Sequence, residues 1–426
     1  TNCHNAHTGQ VKAQDNSLCT QCHTVERYDT EKHHHHKKAS DAALCVNCHM
    51  PATTYMEVDA RRDHSFSIPV PQYSNGMKTP NACNSCHQAQ SNQWSVDSIE
   101  KWVGKTTPDV FASINAKAQK SDVLALRDAV RYASDEQYPA IRRATLLSLT
   151  GNVPSRLTAE TISQQLSSEN PLIRRAAVEA SGFIPLQHRW GLLKPLVKDE
   201  SASVRFAVAN QLVGYSAQVS GEDYAALSQL LREYEAQLRL SQDMPAGQAL
   251  IAMYALNQGD TEQAIKALNK ALAIEPGFAP ALLNLADIYR GLGDEQQSLE
   301  TLQKAIEVAP DSGAIQHSFG LYWVRQGQLD QSLSYLKAAT EQDDNAVRYA
   351  YVYAVALESS GQINEAVKVL KAANKQWPNQ YDILLSLILY LEKSDKKSDS
   401  LKYLSNLSAI APNDPEVKRR LNSMRQ

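Results

Sequence analysis

The 426-residue chain lacks several features that would place it in a class at once. No apolar run approaches the roughly 18 residues of a membrane-spanning helix, so the sequence predicts no membrane span. Lysine and arginine number 43 against 46 acidic residues, a formal charge of −3, so no basic excess favours nucleic-acid binding. The seven cysteines all lie between Cys3 and Cys86, and none follows. Thiol chemistry is therefore confined to the N-terminal segment.

That segment contains three complete copies of the pattern Cys-x-x-Cys-His, at residues 19–23, 45–49 and 83–87. The chain opens with what reads as the end of a fourth copy, Cys3-His4. This spacing is the attachment site of c-type haem, in which each thiol adds to a vinyl group and the adjoining histidine binds the iron. The sequence therefore predicts four covalently attached haem c groups. The predicted attachment residues are Cys3, Cys19, Cys22, Cys45, Cys48, Cys83 and Cys86, and the predicted proximal iron ligands are His4, His23, His49 and His87.

Zinc binding and disulfide bonding account less well for the cysteine pairs. Zinc ribbons use Cys-x-x-Cys pairs but do not need a histidine after every second cysteine. Disulfides across two residues would be redox-active and are not expected to recur three times. Cys3 has no second cysteine in its motif. The missing cysteine would lie just before Thr1. We therefore expect the native chain to extend upstream of Thr1, where an export signal and further haem sites have room.

Ten of the twelve histidines precede residue 88, enough for a second imidazole on each of four irons. His64 stands alone between two motifs and is the clearest distal candidate. His7 lies three residues beyond His4, so it is better placed to ligate a neighbouring haem. In the run 33–36, adjacent residues point in different directions and can serve two haems, with a surface metal-binding tract or a tag remnant as the alternative. The candidate distal ligands are His7, His33, His34, His35, His36 and His64.

Axial ligands set the potential of a haem over a range of about 0.8 V, and methionine raises it. Met50 and Met56 are possible thioether ligands, although Met50 adjoins a proximal histidine and is poorly placed for that iron. The histidine-dominated inventory predicts low-potential haems. His188 and His317 lie far along the chain and are expected to be ordinary surface or packing residues.

A family resemblance covers residues 45–94. Its matching residues are Cys48-His49-Met50-Pro51, Tyr55-Met56, Arg61 through Phe66, and Thr79 through His87. On these residues the chain resembles exported bacterial multihaem cytochromes in which tetratricopeptide repeats follow the haem domain. The haem part is similar to the tetrahaem cytochromes of ammonia oxidisers. The resemblance implies that His64 is a distal ligand and that the haems pack in close pairs.

Export and propionate pairing follow as further expectations. Bacteria attach haem to this motif outside the cytoplasm, which agrees with the resemblance, so we expect a periplasmic protein, with the extracellular surface as the second choice. Arg61, Arg62 and Lys78 are candidates to pair with haem propionates. The alternative is a solvated charged loop.

The remainder of the chain predicts helical repeats. Three segments beginning with Ile141, Ile173 and Val204 resemble HEAT-type helix pairs; each combines an aliphatic residue, arginine and alanine, and their starts are 32 and 31 residues apart. From about residue 245 the period is 34, that of tetratricopeptide repeats with two antiparallel helices each. The positions in this register are Gly259, Gly293, Gly327 and Gly361; Ala271, Ala305, Ala339 and Ala373; and Pro276, Pro310, Pro378 and Pro412, with Asp344 filling the gap.

The predicted fold class is all-α, with an irregular multihaem domain followed by an α-solenoid. Each repeat buries its apolar face against its neighbours, which gives a curved array with an extended surface. That surface suits partner docking or self-association, with a rigid spacer as the alternative. The predicted domains are a multihaem cytochrome c domain at 1–100, a helical linker at 101–136, HEAT-like repeats at 137–220 and tetratricopeptide repeats at 221–426.

Three functions remain open. The favoured one is electron transfer between redox partner proteins through closely packed, mostly bis-histidine haems, rather than conversion of a substrate. The second is a multihaem oxidoreductase acting on a small nitrogen or sulfur compound, which requires an iron with an open distal position. The third is a subunit of a cytochrome oligomer or filament, in which one chain ligates another chain's iron.

Overall fold

The computed structural model describes these residues: 2–55, 58–77, 79–105, 109–342 and 346–423. Three residues from the sequence analysis lie outside them: the possible thioether ligand Met56, the propionate candidate Lys78, and Asp344 of the repeat register. The chain folds into two compact units, Thr1–Ser113 and Ile114–Gln426. Helices form nearly all of the regular structure, so the fold class is all-α, as predicted.

The N-terminal unit consists of short helices because each cysteine motif closes about one turn and is then interrupted. The motif 45–49 forms one helix, and Pro51 follows two residues later. A small antiparallel hairpin follows, in which Ala52 lies opposite Arg62. The elements are α1 (Ser17–Thr20), α2 (Val25–Tyr28), α3 (Glu31–His34), α4 (Cys45–His49), β1 (Ala52–Tyr55), β2 (Asp59–Arg62), α5 (Gln72–Met77), α6 (Ala82–Cys86) and α7 (Asn92–Val103).

Helix α8 (Val110–Gln119) contains the boundary between the two units. The domain boundary predicted after residue 100 lies within α7, which continues to Val103. Ser91 caps the start of α7, because its hydroxyl accepts a hydrogen bond from the Trp94 amide at 3.1 Å.

Helices α9 to α15 form the first part of the second unit. Close approach of the chain at Gly151 is one reason they pack, because a Cβ there would lie 2.8 Å from the Ala180 carbonyl oxygen. Arg174 is buried and makes a two-pronged salt bridge with Asp199, with contacts of 2.8 and 2.9 Å. The helices are α9 (Leu126–Ser134), α10 (Ala140–Thr150), α11 (Arg156–Gln165), α12 (Pro171–Ala180), α13 (Leu186–Leu193), α14 (Ala202–Leu212) and α15 (Gly221–Arg239).

Five helix pairs with the 34-residue period follow. Each of the four glycines of the register has a positive φ of 71–83° and ends the first helix of its pair. The four alanines of the register are at most 3% exposed, which lets neighbouring helices approach closely. The helices are α16 (Pro245–Asn257), α17 (Thr261–Ile274), α18 (Ala279–Gly291), α19 (Glu295–Val308), α20 (Gly313–Arg325), α21 (Leu329–Glu341), α22 (Val347–Ser359), α23 (Ile363–Gln376), α24 (Tyr381–Lys393), α25 (Lys397–Ile410) and the terminal α26 (Pro415–Ser423).

A contact between distant parts of the sequence closes the second unit on itself. The Asn379 amide donates to the Asp122 carboxylate at 2.8 Å. The neighbouring Gln380 amide donates to the carbonyl oxygens of Lys120 and Ser121, both at 3.0 Å. The turn between α23 and α24 is therefore joined to the segment that precedes α9.

Candidate haem-binding site

The cysteines of successive motifs lie close together in the N-terminal unit. The pKa of the Cys45 thiol is raised to about 11, by burial and by the adjacent Cys19 thiol, which shares a hydrogen bond with it. Burial also raises the pKa of Cys48, with a smaller contribution from Cys83 and Cys86. All seven cysteines are free of disulfides. The motif 45–49 therefore lies between the motifs 19–23 and 83–87.

Three of the four predicted proximal histidines face another imidazole at a consistent spacing. The ring centres are 6.1 Å apart for His4 and His64, 6.3 Å for His49 and His33, and 6.1 Å for His87 and His36; the planes meet at 29°, 11° and 31°. An iron between two opposed imidazoles separates their centres by roughly 6.3 Å, because each metal–nitrogen bond is about 2.0 Å and each ring centre lies about 1.15 Å beyond its nitrogen. The three pairs therefore have the spacing of axial ligands.

Hydrogen bonds orient four of these six rings. In each, the Nδ1–H donates to a backbone carbonyl, which fixes the tautomer and leaves the Nε2 lone pair available to a metal. The contacts are His4 to Gly9 at 2.7 Å, His64 to Arg62 at 2.8 Å, His49 to Ser67 at 3.0 Å and His36 to His34 at 2.5 Å. Both members of the His4–His64 pair are held in this way.

The remaining predicted ligands lie elsewhere. The nearest ring to His23 is Tyr28, with centres 5.5 Å apart, and Tyr28 in turn lies 5.4 Å from His33. His7 is exposed, and within the described residues its ring faces no second imidazole. His23 therefore lies next to a tyrosine, whereas the other three predicted proximal histidines each lie next to an imidazole.

The four histidines at 33–36 separate into different roles. His33 and His36 face two different proximal histidines. His34 accepts a hydrogen bond on Nδ1 from the His36 amide at 3.2 Å, and its buried Nε2 has no partner among the described residues. His35 stacks on Trp102. The separation arises because α3 ends at His34 and His35 has a left-handed backbone, with φ +55°.

The packing of the N-terminal unit fits a large apolar cofactor. Among its described residues, the buried apolar ones are Ala43, Pro71 and Val96. So few buried apolar residues make a weak core for a unit of this length, and a bound cofactor would supplement it. Phe66 and Ile68, which flank the site, are 60% and 78% exposed and leave apolar surface that a porphyrin would cover.

The donor set also fits haem. Among the described residues no group of three or more histidine, cysteine or acidic side chains is arranged to hold a metal ion. Haem needs no such group, because the porphyrin supplies four ligands and the protein adds one or two axial ones.

Two polar side chains that the motifs did not reveal hold the site together. Arg62 donates to the carbonyls of Val46 and Met50, both at 3.1 Å, and to Asn47 at 2.9 Å, so its guanidinium supports the motif 45–49. Asn16 links two motifs: its side chain accepts from the Cys45 amide at 2.9 Å and donates to Asp29 at 2.7 Å. Neither role has a signal in the sequence, since both depend on tertiary contacts.

The second unit contains a cavity of about 400 Å³ between the end of α15, α16 and α17. Its walls include Arg239, Lys266 and Lys270 together with several amide side chains, and no carboxylate among the described lining residues. Lys266 pairs with Glu262, at 2.5 Å, outside the cavity. Arg239 likewise pairs with Glu235, at 2.6 Å, and Glu235 does not line the cavity. The lining therefore combines cationic side chains with amide groups that donate and accept hydrogen bonds.

Comparisons with known proteins identify the repeats. Tetratricopeptide-repeat family models match residues 255–318 and 319–381. These residues extend from the end of α16 to the start of α24. The chain therefore contains tetratricopeptide repeats, which confirms the prediction from the 34-residue period.

Several solved structures are similar to part of this chain. A MamA structure is 18% identical and covers 40% of this chain and 93% of its own, with a TM-score of 0.35. A MamA segment from Desulfovibrio magneticus RS-1 is 16% identical, covering 40% and 97%, with a TM-score of 0.35. YrrB, described as a TPR protein with an unusual peptide-binding site, is 18% identical, covering 44% and 96%, again with a TM-score of 0.35. No curated protein matches the chain.

A helix that crosses a bilayer needs roughly 18 or more predominantly apolar residues. In the part of the chain that the structure describes, no helix is both long enough and apolar enough to cross a membrane.

Proposed function

We propose that the chain is an exported multihaem c-type cytochrome, which transfers electrons through four covalently bound haems and uses its helical repeats to bind a redox partner. The observation that carries this proposal is the set of three imidazole pairs with centres 6.1–6.3 Å apart. Each pair joins a motif histidine to a histidine that the motifs do not contain. The periplasm is the proposed location, followed by the cell surface.

The residues of the chain determine what each iron can do. Haem supplies a reversible one-electron couple. The paired thiols of each complete motif would hold the group covalently, and His4 and His64 would both bind one iron, which would leave no position on that iron for a substrate. The carbonyls of Gly9 and Arg62 hold the Nδ1 protons of those two rings. Two imidazoles favour a lower potential than an imidazole with a thioether.

Intact mass and absorption spectra test this function directly. Protein matured in a host that attaches haem c should carry haem on the three complete motifs and on Cys3-His4. Its electron paramagnetic resonance spectrum should be dominated by low-spin iron with two imidazole ligands. A colourless polypeptide with no added mass would refute the proposal.

The basic cavity of the second unit is the proposed docking point, and the partner segment that it fits is acidic. The cationic Lys266 and Lys270 lie one turn apart on α17 and both line the cavity. A hexaglutamate peptide is the probe: Lys266→Glu and Lys270→Glu should each weaken its binding in calorimetry. Lys304→Glu is the matched control, because the exposed Lys304 occupies the equivalent position one repeat later. Equal binding by all three variants would rule out this docking point.

A second candidate function has one observation in its favour. The ring beside His23 belongs to Tyr28, whereas the other proximal histidines face imidazoles. An iron bound by His23 would therefore have no imidazole among the described residues beside it as a second ligand, and its distal position would be open. An oxidoreductase acting on a small nitrogen or sulfur compound would use an iron with an open distal position. A high-spin fraction that binds nitrite would favour this function, and fully low-spin iron that binds no added ligand would exclude it.

A further inference from the structure

The segment 33–36 delivers two distal histidines within four residues. His33 faces His49, and His36 faces His87. The two proposed irons are therefore joined through one short peptide. The shape of that peptide decides whether both imidazoles reach their partners at once.

The required shape is not one that the peptide adopts freely. In a continuous helix, residues three apart lie on the same face, which would direct His33 and His36 to one side. Here the helix stops, and His35 takes a left-handed conformation with φ +55°. Residues with a Cβ disfavour this conformation. An external contact is expected to hold it.

Trp102 provides that contact. Its indole lies on the His35 ring with centres 4.1 Å apart and planes at 12°. Stacked aromatic rings stabilise a fold by more than the burial of their apolar area alone. The Trp102 side chain is also 36% exposed, so shortening it leaves no closed cavity.

Helix α7 fixes the position of Trp102, because contacts near His87 hold the start of the helix. Near its start, Trp94 lies 4.8 Å from His87, and Ser95 donates to Asn84 of α6 at 2.8 Å. Trp94 and Trp102 are eight residues apart, about 12 Å along a helix. One helix thus contacts the proximal ligand of an iron and the segment that carries its distal ligand.

We propose that Trp102 is a positioning residue, which clamps His35 and thereby holds His33 and His36 against two different irons. This inference rests on the proposed function, because it assumes haem on the motifs 45–49 and 83–87. Trp102 does not touch either iron. Its effect passes through the backbone of His35.

Cyanide competition with the distal histidines tests the clamp. In Trp102→Ala, the apparent affinity for cyanide should rise roughly twofold to tenfold at two irons, the factor that corresponds to loss of an aromatic pair. The iron between His4 and His64 should not change. Trp102→Phe should restore most of the wild-type behaviour, and Val103→Ala, at an exposed neighbour on the same helix, should have no effect. Paramagnetic NMR of the haem methyl groups identifies which irons respond.

A double mutant makes the test independent of any general loss of stability. His35→Ala should reproduce the effect of Trp102→Ala, and the combination should add little, because both remove one contact. Additive effects, or unchanged cyanide affinity in Trp102→Ala with all haems attached, would overturn the clamp while leaving the proposed function intact. Absence of attached haem in the wild-type protein would instead overturn the proposed function.

Discussion

The ring of His64 lies next to that of His4, with centres 6.1 Å apart and planes at 29°. His64 is predicted to be a distal ligand, and its Nδ1–H donates to the Arg62 carbonyl at 2.8 Å. Its Nε2 is the atom left available to a metal. Loss of this single imidazole should therefore affect one iron and no other.

We expect His64→Ala to retain every covalent haem but to convert one iron to the high-spin state and raise its potential, because the iron bound by His4 loses its second imidazole. Electron paramagnetic resonance and a redox titration measure these changes. His188→Ala is the control, since His188 is exposed in the second unit. An unaltered low-spin spectrum in His64→Ala would show that another group is the ligand.

His317 is a packing residue, one of the two roles that the sequence suggests, and its burial also affects its protonation. It is 6% exposed, its ring lies 4.7 Å from Tyr349, and neither ring nitrogen has a hydrogen-bond partner among the described residues. Burial, with a smaller contribution from Arg348, lowers its pKa to about 4. The folded protein therefore holds this imidazole neutral.

Acid should destabilise the second unit through His317. Below its ordinary pKa of about 6.5 the unfolded chain binds a proton that the folded chain takes up only near pH 4, so stability falls as the pH decreases through this interval. Between pH 7 and 5 the loss should be on the order of 1–2 kcal/mol relative to His317→Phe, measured by urea unfolding. Equal losses in both proteins would contradict the assignment.

At the scale of elements, the repeats illustrate what a sequence period predicts. The 34-residue register correctly predicts four turns at Gly259, Gly293, Gly327 and Gly361, because each requires a left-handed residue after a helix. A fifth helix pair, α24 and α25, has Asp395 in the corresponding position, with φ +57°. The 34-residue register of glycines does not predict this turn, because its left-handed residue is an aspartate, which can also adopt the conformation.

The N-terminal unit illustrates the limit of local patterns. The Cys-x-x-Cys-His motifs predict attachment and proximal ligands, and an isolated histidine predicts a distal one. Which of His33 to His36 lie next to a motif histidine cannot be predicted from the sequence, because their directions depend on the left-handed backbone at His35 and its contact with Trp102. The support that Arg62 gives to motif carbonyls is likewise tertiary, and pairing of Arg62 with a haem propionate stays a prediction.

The turn at Asp395 yields a stability prediction. Asp395→Gly should stabilise the second unit by roughly 0.5 kcal/mol, because glycine adopts the left-handed conformation without strain but loses more chain entropy on folding. Gly361→Ala should cost about 1–2 kcal/mol, and it tests the backbone alone, since a Cβ there meets no atom within 4 Å. Chemical denaturation measures both. A loss of stability in Asp395→Gly would indicate that its carboxylate has a structural role.

At the scale of the whole chain, the two units are stabilised by different means. The N-terminal unit buries Ala43, Pro71 and Val96 among its described apolar residues, whereas the second unit buries large side chains throughout, including Leu146 and Leu268. Folding of a helical repeat depends on its own packed interfaces. Folding of the first unit should depend on the haems.

Protein produced without haem attachment should therefore be half folded. We expect the repeats beyond residue 114 to keep their helical circular dichroism and resist limited proteolysis, while residues 1–113 are cut. Matured protein treated in parallel is the control. Protease resistance of the first unit without haem would show that its fold does not require the cofactor.

Closure of the second unit gives the last prediction. Asn379 and Gln380 bond to Asp122 and to the carbonyls of Lys120 and Ser121, residues more than 250 positions earlier in the chain. Since Asp122 is 7% exposed, its carboxylate loses a partner out of contact with water if Asn379 is shortened. We expect Asn379→Ala with Gln380→Ala to lower the free energy of unfolding by about 1–3 kcal/mol. Asn364→Ala is the control, because Asn364 of α23 accepts an exposed hydrogen bond from Lys396, the residue just before α25. Hydrogen exchange should show faster opening of α9 and α24 in the double variant. Unchanged hydrogen exchange in α9 and α24 would mean that this contact does not stabilise the second unit.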